Sequence, residues 1–273
     1  MKTDTQLLND IAQKTDLLRQ LTELESAELK KKLLNIHNTI ISICDKNGLR
    51  IMLSGGSCLG SIRHGGFIPW DDDLDISVLK KDFPRLKKAL QNELPENLIY
   101  QDRWTDFNCP IIFAKVRDKH SLFEESDSRR VKERGIFIDI FPNEKIPSMW
   151  WKRKVDYPYG HCIRGIHNYS DTKDKILSYI VFPFAWTIVQ LTRFVNLFIP
   201  SDKIAFIYGW NVTYNNYSIK DVFPVTYVPF EDMQAPVPHN YDAVLTRLFG
   251  DYMQIPPEEK RKVHSTKIEF YDD

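Results

Sequence analysis

The sequence has no excess of charge of either sign. Thirty-seven lysines and arginines balance thirty-seven aspartates and glutamates in a chain of 273 residues. Proteins that bind nucleic acid through its phosphates usually carry a strongly basic surface. The balance excludes a global field of that kind. Nucleic acid is therefore not an expected partner, and any anion site must be local.

Cysteine is scarce and irregularly placed. The four cysteines, Cys44, Cys58, Cys109 and Cys162, have no metal-ligand spacing. We interpret them as unpaired thiols in a reducing compartment. The first ten residues lack the apolar core and the small-residue cleavage site of a secretion signal. We therefore expect a cytoplasmic protein.

One long apolar run, residues 176–200, is nearly long enough to span a bilayer. Pro183 would bend it, and three polar residues interrupt it: Gln190, Arg193 and Asn196. A transmembrane span is therefore disfavoured. Two interpretations stay open, a buried helical pair and a helix lying in the membrane interface. The tryptophans and cations at 149–154 suit the headgroup layer in the second of them.

The most informative stretch is 53–78, which reads LSGGSCLGSIRHGGFIPWDDDLDISV. Four carboxylates, Asp71, Asp72, Asp73 and Asp75, fall within five positions, and apolar residues then alternate in the pattern of a strand. Asp71, Asp73 and Asp75 share a face if that strand begins early enough. Clustered like charges repel unless a cation lies among them, and Mg²⁺ binds carboxylate oxygens while keeping positions for substrate phosphates. The cluster predicts a metal site.

A glycine-rich turn precedes the acidic run. Gly55, Gly56 and Ser57 follow a candidate strand at 49–53 and enter a helical stretch at 58–64. Such a turn exposes backbone N–H groups to an anion, and the helix dipole favours negative charge there. We predict that Gly56 and Ser57 bind phosphates of a donor.

A second acidic position lies in an apolar strand predicted at 134–141. Asp139 has apolar neighbours on both sides, and an unpaired buried carboxylate costs several kcal/mol. A structural arginine or a helix N-terminus could be its partner. Beside the acidic run, we instead predict that it joins the same site, as a metal ligand or as the acceptor of a proton from a hydroxyl. The sequence does not separate these two roles.

These motifs resemble a known family. Gly-Gly-Ser, Leu-Gly-Ser-Ile-Arg-His and Gly-Phe-Ile-Pro-Trp-Asp-Asp-Asp-Leu-Asp follow one another up to Asp75. This order closely resembles the signature of the LicD family of phosphocholine transferases, grouped with the fukutin-related proteins in the nucleotidyltransferase superfamily. Residues 135–142 are similar to the family's second acidic strand. Residues 241–253, with His264 after them, resemble its C-terminal signature.

The resemblance implies metal-assisted transfer of a phospho-alcohol group. The donor would be a CDP-alcohol such as CDP-choline, and the acceptor a glycan or lipid-linked glycan of a surface polysaccharide, lipopolysaccharide or teichoic acid. Mg²⁺ or Mn²⁺ would be held by Asp71, Asp73, Asp75 and Asp139, of which the last three are the predicted catalytic residues. The transferred alcohol and the acceptor sugar stay open. A lipid-linked acceptor would place the protein at the inner face of the membrane.

Three further side chains are candidate donor contacts. Arg63 lies about two turns along the helix after the glycines, although a surface ion pair is the competing interpretation. Trp70 could stack on a base or a choline cation, and core packing is its alternative. Lys115, on a strand predicted at 111–117, could face donor phosphates or be a solvated edge residue together with Arg117.

The order of elements predicts an α+β fold with a nucleotidyltransferase-like mixed β-sheet core. We expect four parts: an N-terminal helical layer at 1–48, the core at 49–148, a mostly helical insertion at 149–217 and a C-terminal segment packing on the core at 218–273. Residues 201–217 are expected to be helical.

Two other functions are consistent with some of these sequence features. A nucleotidyltransferase could move the nucleotide itself onto a small hydroxylated molecule, and it would release pyrophosphate where the first reaction releases CMP. Alternatively, a non-catalytic module could use the acidic run to bind calcium or a basic partner.

Overall fold

The structure is a computed structural model that describes residues 21–109, 111–125, 131–167, 172–207, 216–258, 261 and 265–271. Helices and strands are mixed along the chain and surround a mixed sheet, so the predicted α+β class is confirmed. Residues 1–20 of the predicted N-terminal helical layer, and His264, lie outside the described residues.

The helices are α1 (Glu23–Lys46), α2 (Gly55–His64), α3 (Phe83–Glu93), α4 (Met149–Trp151), α5 (Tyr157–His167), α6 (Thr172–Asn196), α7 (Ile219–Val222) and α8 (Tyr241–Phe249), and a π-helical turn (Lys152–Asp156) joins α4 to α5. The strands are β1 (Ile51–Leu53), β2 (Asp75–Leu79), β3 (Leu98–Gln101), β4 (Ala114–Asp118), β5 (Ser121–Glu124), β6 (Phe137–Lys145), β7 (Lys203–Phe206), β8 (Asn216–Ser218), β9 (Thr226–Phe230), β10 (Met233–Val237) and β11 (Lys267–Phe270).

The main sheet has the order β1-β2-β6-β4-β3, and β7 joins the far half of β6 to β8. The pairing of β2 with β6 is parallel, whereas the other pairs are antiparallel. Two parallel neighbours start at the same end of a sheet. The acidic residues at the starts of β2 and β6 are therefore brought to one edge.

Helix α1 begins at a capping box, in which the Thr22 hydroxyl accepts from the Glu25 N–H and the Glu25 carboxylate accepts from the Thr22 N–H. One stripe of the helix is buried against the sheet, as its apolar period predicts, and it includes Leu33, Ile36 and Ile40. His37 lies in the same stripe and is fully buried. Neither of its ring nitrogens has a hydrogen-bond partner among the described residues.

His37 should make the stability of the fold depend on pH. Burial lowers the pKa of His37 from 6.5 to about 4, whereas the unfolded chain takes up the proton near its ordinary pKa. The unfolded state therefore binds more protons between these values, and the free energy of unfolding falls as the pH drops through them. We expect His37→Leu to remove about 2 kcal/mol of the loss seen between about pH 8 and pH 5. Urea unfolding of both proteins at the two pH values measures this, and equal losses would contradict it.

The prediction of a helix at 201–217 is wrong. Lys203–Phe206 and Asn216–Ser218 are strands, and residues 208–215 lie outside the described part. Strand β6 runs to Lys145, four residues beyond its predicted end, and so offers β7 a free edge to pair with. Ile204 and Ala205 are fully buried there. Tertiary pairing has overridden the local pattern.

Helix α6 covers most of the long apolar run, and within the described residues it is the one helix long and apolar enough to cross a membrane. One face packs on α5, with Ser178 and Val189 buried in the contact. Only 11% of its most apolar window is buried inside the protein. The interpretation of the run as a buried helical pair is therefore wrong.

Candidate active site

The first two acidic side chains of the site are placed by the parallel pairing of β2 with β6. Asp75 is the first residue of β2, and its register partner on β6 is Asp139. Partners in adjacent strands lie about 5 Å apart on the same face of a sheet. The acidic run and the second acidic strand, 64 positions apart in sequence, thus meet as predicted.

Strand β2 begins too late for the predicted alternation of Asp71, Asp73 and Asp75 along one strand. Asp71 and Asp73 lie instead in the loop that leads into the strand. The loop still carries them to the same edge of the sheet. The charge of Asp73 contributes to the raised pKa of Asp139, and Asp71 lies against the start of α2.

Asp72 has a structural contact of its own. It is buried, and its Oδ2 accepts a hydrogen bond of 2.8 Å from the Ser265 N–H. Asp72 thereby fastens the C-terminal segment, which continues into β11, to the loop before β2. This contact explains why one of the four clustered carboxylates is structural.

The glycines of the motif form the first turn of α2, whereas a turn at Gly55, Gly56 and Ser57 followed by a helix from Cys58 was expected. They allow two carboxylates to approach the helix start. A Cβ on Gly56 would lie 2.8 Å from Asp71 Oδ2, and one on Gly55, which has a φ of +52°, would lie 3.3 Å from Asp75 Oδ2. The first N–H groups of a helix have no partner within it, so this edge joins anion-binding donors to acidic side chains.

Ser57 fixes the junction between α2 and β2. Its buried hydroxyl accepts a hydrogen bond of 2.8 Å from the Asp75 N–H. The side chain thus holds β2, and the predicted role in binding phosphate would use the backbone N–H of Ser57. That role stays a prediction.

Gly56→Ala should impair the site more than the fold. The new methyl group would push the Asp71 carboxylate away from the start of α2, and displacements below 1 Å already impair catalytic groups. We expect the transfer rate to fall about tenfold or more, with the free energy of unfolding changed by less than about 1 kcal/mol. Gly65→Ala, at the other end of α2, is the matched control. Its Cβ meets no atom within 4 Å, so its left-handed φ of +70° should cost stability but not rate. The reverse pattern would contradict the assignment.

Lys115 faces Asp139 across the antiparallel pair β4 and β6. Its Nζ lies 2.8 Å from Asp139 Oδ1 and 3.1 Å from Glu125 Oε1. The approach to Oδ1 lacks hydrogen-bond geometry. The ammonium also lies 3.2 Å from the ring centroid of Phe137, which favours a desolvated cation.

Lys115 and Arg117 were read as edge residues in one interpretation, and that interpretation is wrong. Strand β4 lies between β6 and β3, and both side chains are only 2% exposed. The guanidinium of Arg117 donates to Gln101 Oε1 at 2.6 Å and to the Gly135 carbonyl at 2.8 Å, and it pairs with Glu125 at 3.3 Å. Arg117 is therefore held within the sheet.

Glu125 is the site residue that sequence reasoning missed. It bridges the two buried cations of β4, with one carboxylate oxygen directed at each. Its position in a polar, charged stretch gave no periodic signal. The signal available was indirect: two cations on an apolar strand need a counter-charge if the strand is central.

Burial and neighbouring charges shift the pKa values of Asp139 and Glu125 in opposite directions. Burial raises the pKa of Asp139 to about 6, and the charges of Glu125 and Asp73 add to this while Lys115 opposes it. Burial also acts to raise the pKa of Glu125, but Lys115 and Arg117 outweigh it and the pKa is lowered. The raised pKa of Asp139 suits proton exchange near neutral pH. It equally suits binding of a cation, so both roles of Asp139 stay open.

Arg63 is engaged with the segment after α8. Its Nη1 donates to the carbonyl of Tyr252 at 2.9 Å and to that of Gln254 at 3.1 Å. Burial lowers its pKa, and the nearby charge of Asp71 opposes this shift. Arg63 therefore connects the C-terminal segment to the edge of the sheet where Asp71, Asp73, Asp75 and Asp139 meet, which we call the acidic edge. Contact of Arg63 with a donor stays a prediction.

Trp70 is half-buried and packs against the main core, in line with its structural interpretation. Two guanidinium groups lie near its ring, that of Arg261 at 4.3 Å and that of Arg63 at 5.9 Å from the centroid. A base or a choline group would compete with Arg261 for this aromatic surface. Binding of a donor by Trp70 stays a prediction.

The chemistry of the acidic edge fits Mg²⁺, which prefers hard oxygen ligands. Among the described residues, no group of three or more His, Cys, Asp or Glu side chains is already arranged to hold a metal ion. Magnesium is commonly bound by one or two carboxylates together with substrate phosphates. The residues therefore fit an ion site that a phosphate-bearing substrate completes, and they do not form an all-protein cage.

Comparisons with known proteins match this site to a family. Residues 48–168 match the model described as LicD/FKTN/FKRP, nucleotidyltransferase domain. The chain is 29% identical over 253 residues to the lipopolysaccharide cholinephosphotransferase LicD of Haemophilus influenzae, covering 85% of this chain and 92% of that protein. It is also 42% identical over 43 residues to the human and mouse ribitol 5-phosphate transferase FKRP, covering 16% of this chain and 9% of those proteins. The resemblance found in the sequence is confirmed.

Proposed function

We propose that this chain, whose residues 48–168 match the model described as LicD/FKTN/FKRP, nucleotidyltransferase domain, transfers a phospho-alcohol group from a CDP-activated donor to a hydroxyl of a cell-surface glycan. The named relatives are transferases of phosphocholine and of ribitol 5-phosphate. The transferred group is accordingly phosphocholine or a similar phospho-alcohol. The acceptor is a glycan or a lipid-linked glycan.

The observation that supports this proposal most is the pairing of Asp75 with Asp139 beside the first turn of α2. A diphosphate placed there meets backbone N–H groups on one side and carboxylates on the other. Neighbouring carboxylates repel an anion unless a divalent cation lies between them. This juxtaposition is the one expected for a nucleoside diphosphate that arrives with its metal ion.

Each residue of the edge has a part in this proposal. The N–H groups of Gly56 and Ser57 bind the donor phosphates. Asp71, Asp73, Asp75 and Asp139 are the ligands for Mg²⁺ or Mn²⁺, which when bound offsets negative charge on the leaving nucleotide. Asp139 is alternatively the proton acceptor for the attacking hydroxyl, since its pKa is raised to about 6. Lys115 balances the charge of Asp139 from within the sheet.

The test is incubation of the full chain with Mg²⁺, an acceptor glycan and a panel of CDP-alcohols carrying choline, ethanolamine, glycerol or ribitol. We expect one of them to release CMP, and we expect removal of the divalent ion with EDTA to stop the release. Chromatography of the nucleotide products measures both. Formation of pyrophosphate from CTP, with no CMP from any CDP-alcohol, would favour the nucleotidyltransferase alternative. If neither CMP nor pyrophosphate is formed and the chain binds calcium, the non-catalytic module would be favoured.

A further inference from the structure

The outer face of α6 exposes a continuous apolar stripe. Ile180, Phe184, Leu191 and Val195 follow one another at helical spacing, and each is more than half exposed, with Phe184 at 71%. No charged residue occurs between Ile176 and Thr192. At 1.5 Å per residue the 25-residue helix is about 37 Å long. A stripe of this size on a folded protein marks a surface that another body covers.

The inner face of α6 is fastened to the body that carries the sheet. Arg193 donates to Glu144 at 2.8 Å, and Val189 packs in a cluster with residues of the sheet layer, including Ile112 and Ile207. Phe182 stacks on the buried Tyr159 with their ring centroids 5.6 Å apart. A helix crossing a bilayer could keep these contacts only if the charged body entered the hydrocarbon. The helix therefore lies flat on the protein with one side facing outwards.

Aromatic and cationic side chains lie at the N-terminal end of the stripe. Exposed Trp104 and Phe107 stand in a loop that contacts α5, where the Phe107 carbonyl is 2.7 Å from His167 Nδ1. The guanidinium of Arg103 is 5.1 Å from the Trp104 ring centroid, and the ammonium of Lys175 is 6.0 Å from that of Phe107. Exposed Lys173 adds a further cation, and Asp174, 3.9 Å from His161, is an acidic group at this end. Asp102 and Asp106, in the loop that carries Trp104, are buried.

The C-terminal end of the stripe has the same character. Leu197 and Phe198 are each 73% exposed. Lys145 reaches this end and donates to the Ile199 carbonyl at 3.1 Å, and the side chain of Lys203 is exposed nearby. Asp202 is the acidic group there, and it accepts a hydrogen bond from Ser218. Among the described residues at the two ends whose side chains are not buried, cations exceed anions.

From this pattern we propose that the α6 stripe docks on an anionic lipid surface, with the helix lying in the plane of the headgroups. Apolar side chains enter the acyl boundary while flanking tryptophans and cations meet the headgroup layer. A second copy of the chain fits less well. Pairing along α6 in either direction would bring one cationic end against another, which opposes association. The inference concerns binding alone and does not depend on the proposed transfer.

Flotation of the full chain with lipid vesicles tests the proposal. We expect at least about tenfold stronger association with phosphatidylcholine vesicles containing about 30% phosphatidylglycerol than with phosphatidylcholine alone, and a fall in that preference at high salt. The triple variant Ile180→Ser, Phe184→Ser and Leu191→Ser should weaken association about 100-fold. A control triple variant changes three exposed apolar residues away from α6, Leu24, Met253 and Ile255, to Ser and should bind as the wild type does.

Circular dichroism and thermal unfolding check that both triple variants are folded, as expected for exposed positions. A second measurement places a tryptophan on the stripe by Phe184→Trp, at a position that is 71% exposed. Brominated lipids should quench its fluorescence, seen as the difference between Phe184→Trp and the wild type. Failure of the wild type to float, or equal binding by the α6 variant, would overturn the proposal. So would a lipid-free dimer that the α6 variant alone dissociates, or resistance of the membrane-bound chain to extraction with alkaline carbonate.

Discussion

Replacing Asp75 by Asn is expected to lower the rate of CMP release about 10³-fold while the chain stays folded. Asp75 lies against the start of α2 and is the register partner of Asp139. It therefore adjoins both the N–H groups of the helix start and the carboxylate of the neighbouring strand. Losing its charge removes an ion ligand and leaves the donor phosphates less well compensated, and electrostatic groups of this kind each contribute about 10²–10³ in rate. Initial rates with the preferred CDP-alcohol at saturating Mg²⁺ measure the effect.

Asp72→Asn is the matched control for this variant. It changes the same residue type three positions away, but Asp72 is buried and accepts a hydrogen bond from the Ser265 N–H. We expect about 1–2 kcal/mol lower stability from the weakened buried contact and a rate within a few-fold of wild type. If Asp72→Asn abolished transfer while Asp75→Asn did not, the assignment of the acidic edge would be wrong.

Replacing Lys115 by Met is expected to lower the free energy of unfolding by about 3–5 kcal/mol, the usual result of removing one partner from a buried ion pair. The ammonium lies 2.8 Å from Asp139 and 3.1 Å from Glu125, so its loss leaves two carboxylates of the sheet without their shared cation. Met keeps the volume and the packing on Phe137. Urea unfolding at neutral pH measures the change.

The double variant of Lys115→Met with Asp139→Asn separates charge from packing. Removing the second charge should recover part of the stability lost in Lys115→Met, because an uncompensated carboxylate no longer remains. The variant Asp139→Asn alone supplies the fourth corner of the cycle. Additive losses would show that Lys115 acts on the fold through packing and not through its charge, which contradicts the account of the β4 and β6 pair.

Much of the site could be predicted because its residue types are unusual where they occur. A carboxylate among apolar neighbours at Asp139 requires a partner, and the acidic run after a glycine pair requires a cation. The parallel pairing that joins them depends on the resemblance to a family, since no local pattern says which strands become neighbours. The order of the motif therefore carried information that periodicity lacked.

Other features depend on tertiary structure that a local pattern does not contain. The close approach of Asp71 and Asp75 to the glycines at the start of α2 depends on the fold and would have to change if either glycine carried a Cβ. Glu125 became part of the site because β4 is central in the sheet and its cations are buried. Strand β7 forms because β6 is long enough to pair with it.

Helix α6 shows a different limit. An apolar run looks alike in sequence whether protein or lipid surrounds it, and both alternatives were consistent with residues 176–200. The structure decides against burial, since α5 and the sheet cover only one of its faces. The proposal that lipid covers the exposed face rests on the cations at both ends and not on the apolar residues alone.

Titration of Mn²⁺ into the full chain, followed by electron paramagnetic resonance with and without CDP, tests the central claim most directly. The claim is that carboxylates from two neighbouring strands hold a divalent ion together with the donor's phosphates. We expect weak binding of Mn²⁺ alone, tight binding when CDP is present, and loss of the tight site in Asp75→Asn and Asp139→Asn but not in Asp72→Asn. Tight binding that ignores CDP, or that survives in both edge variants, would contradict it.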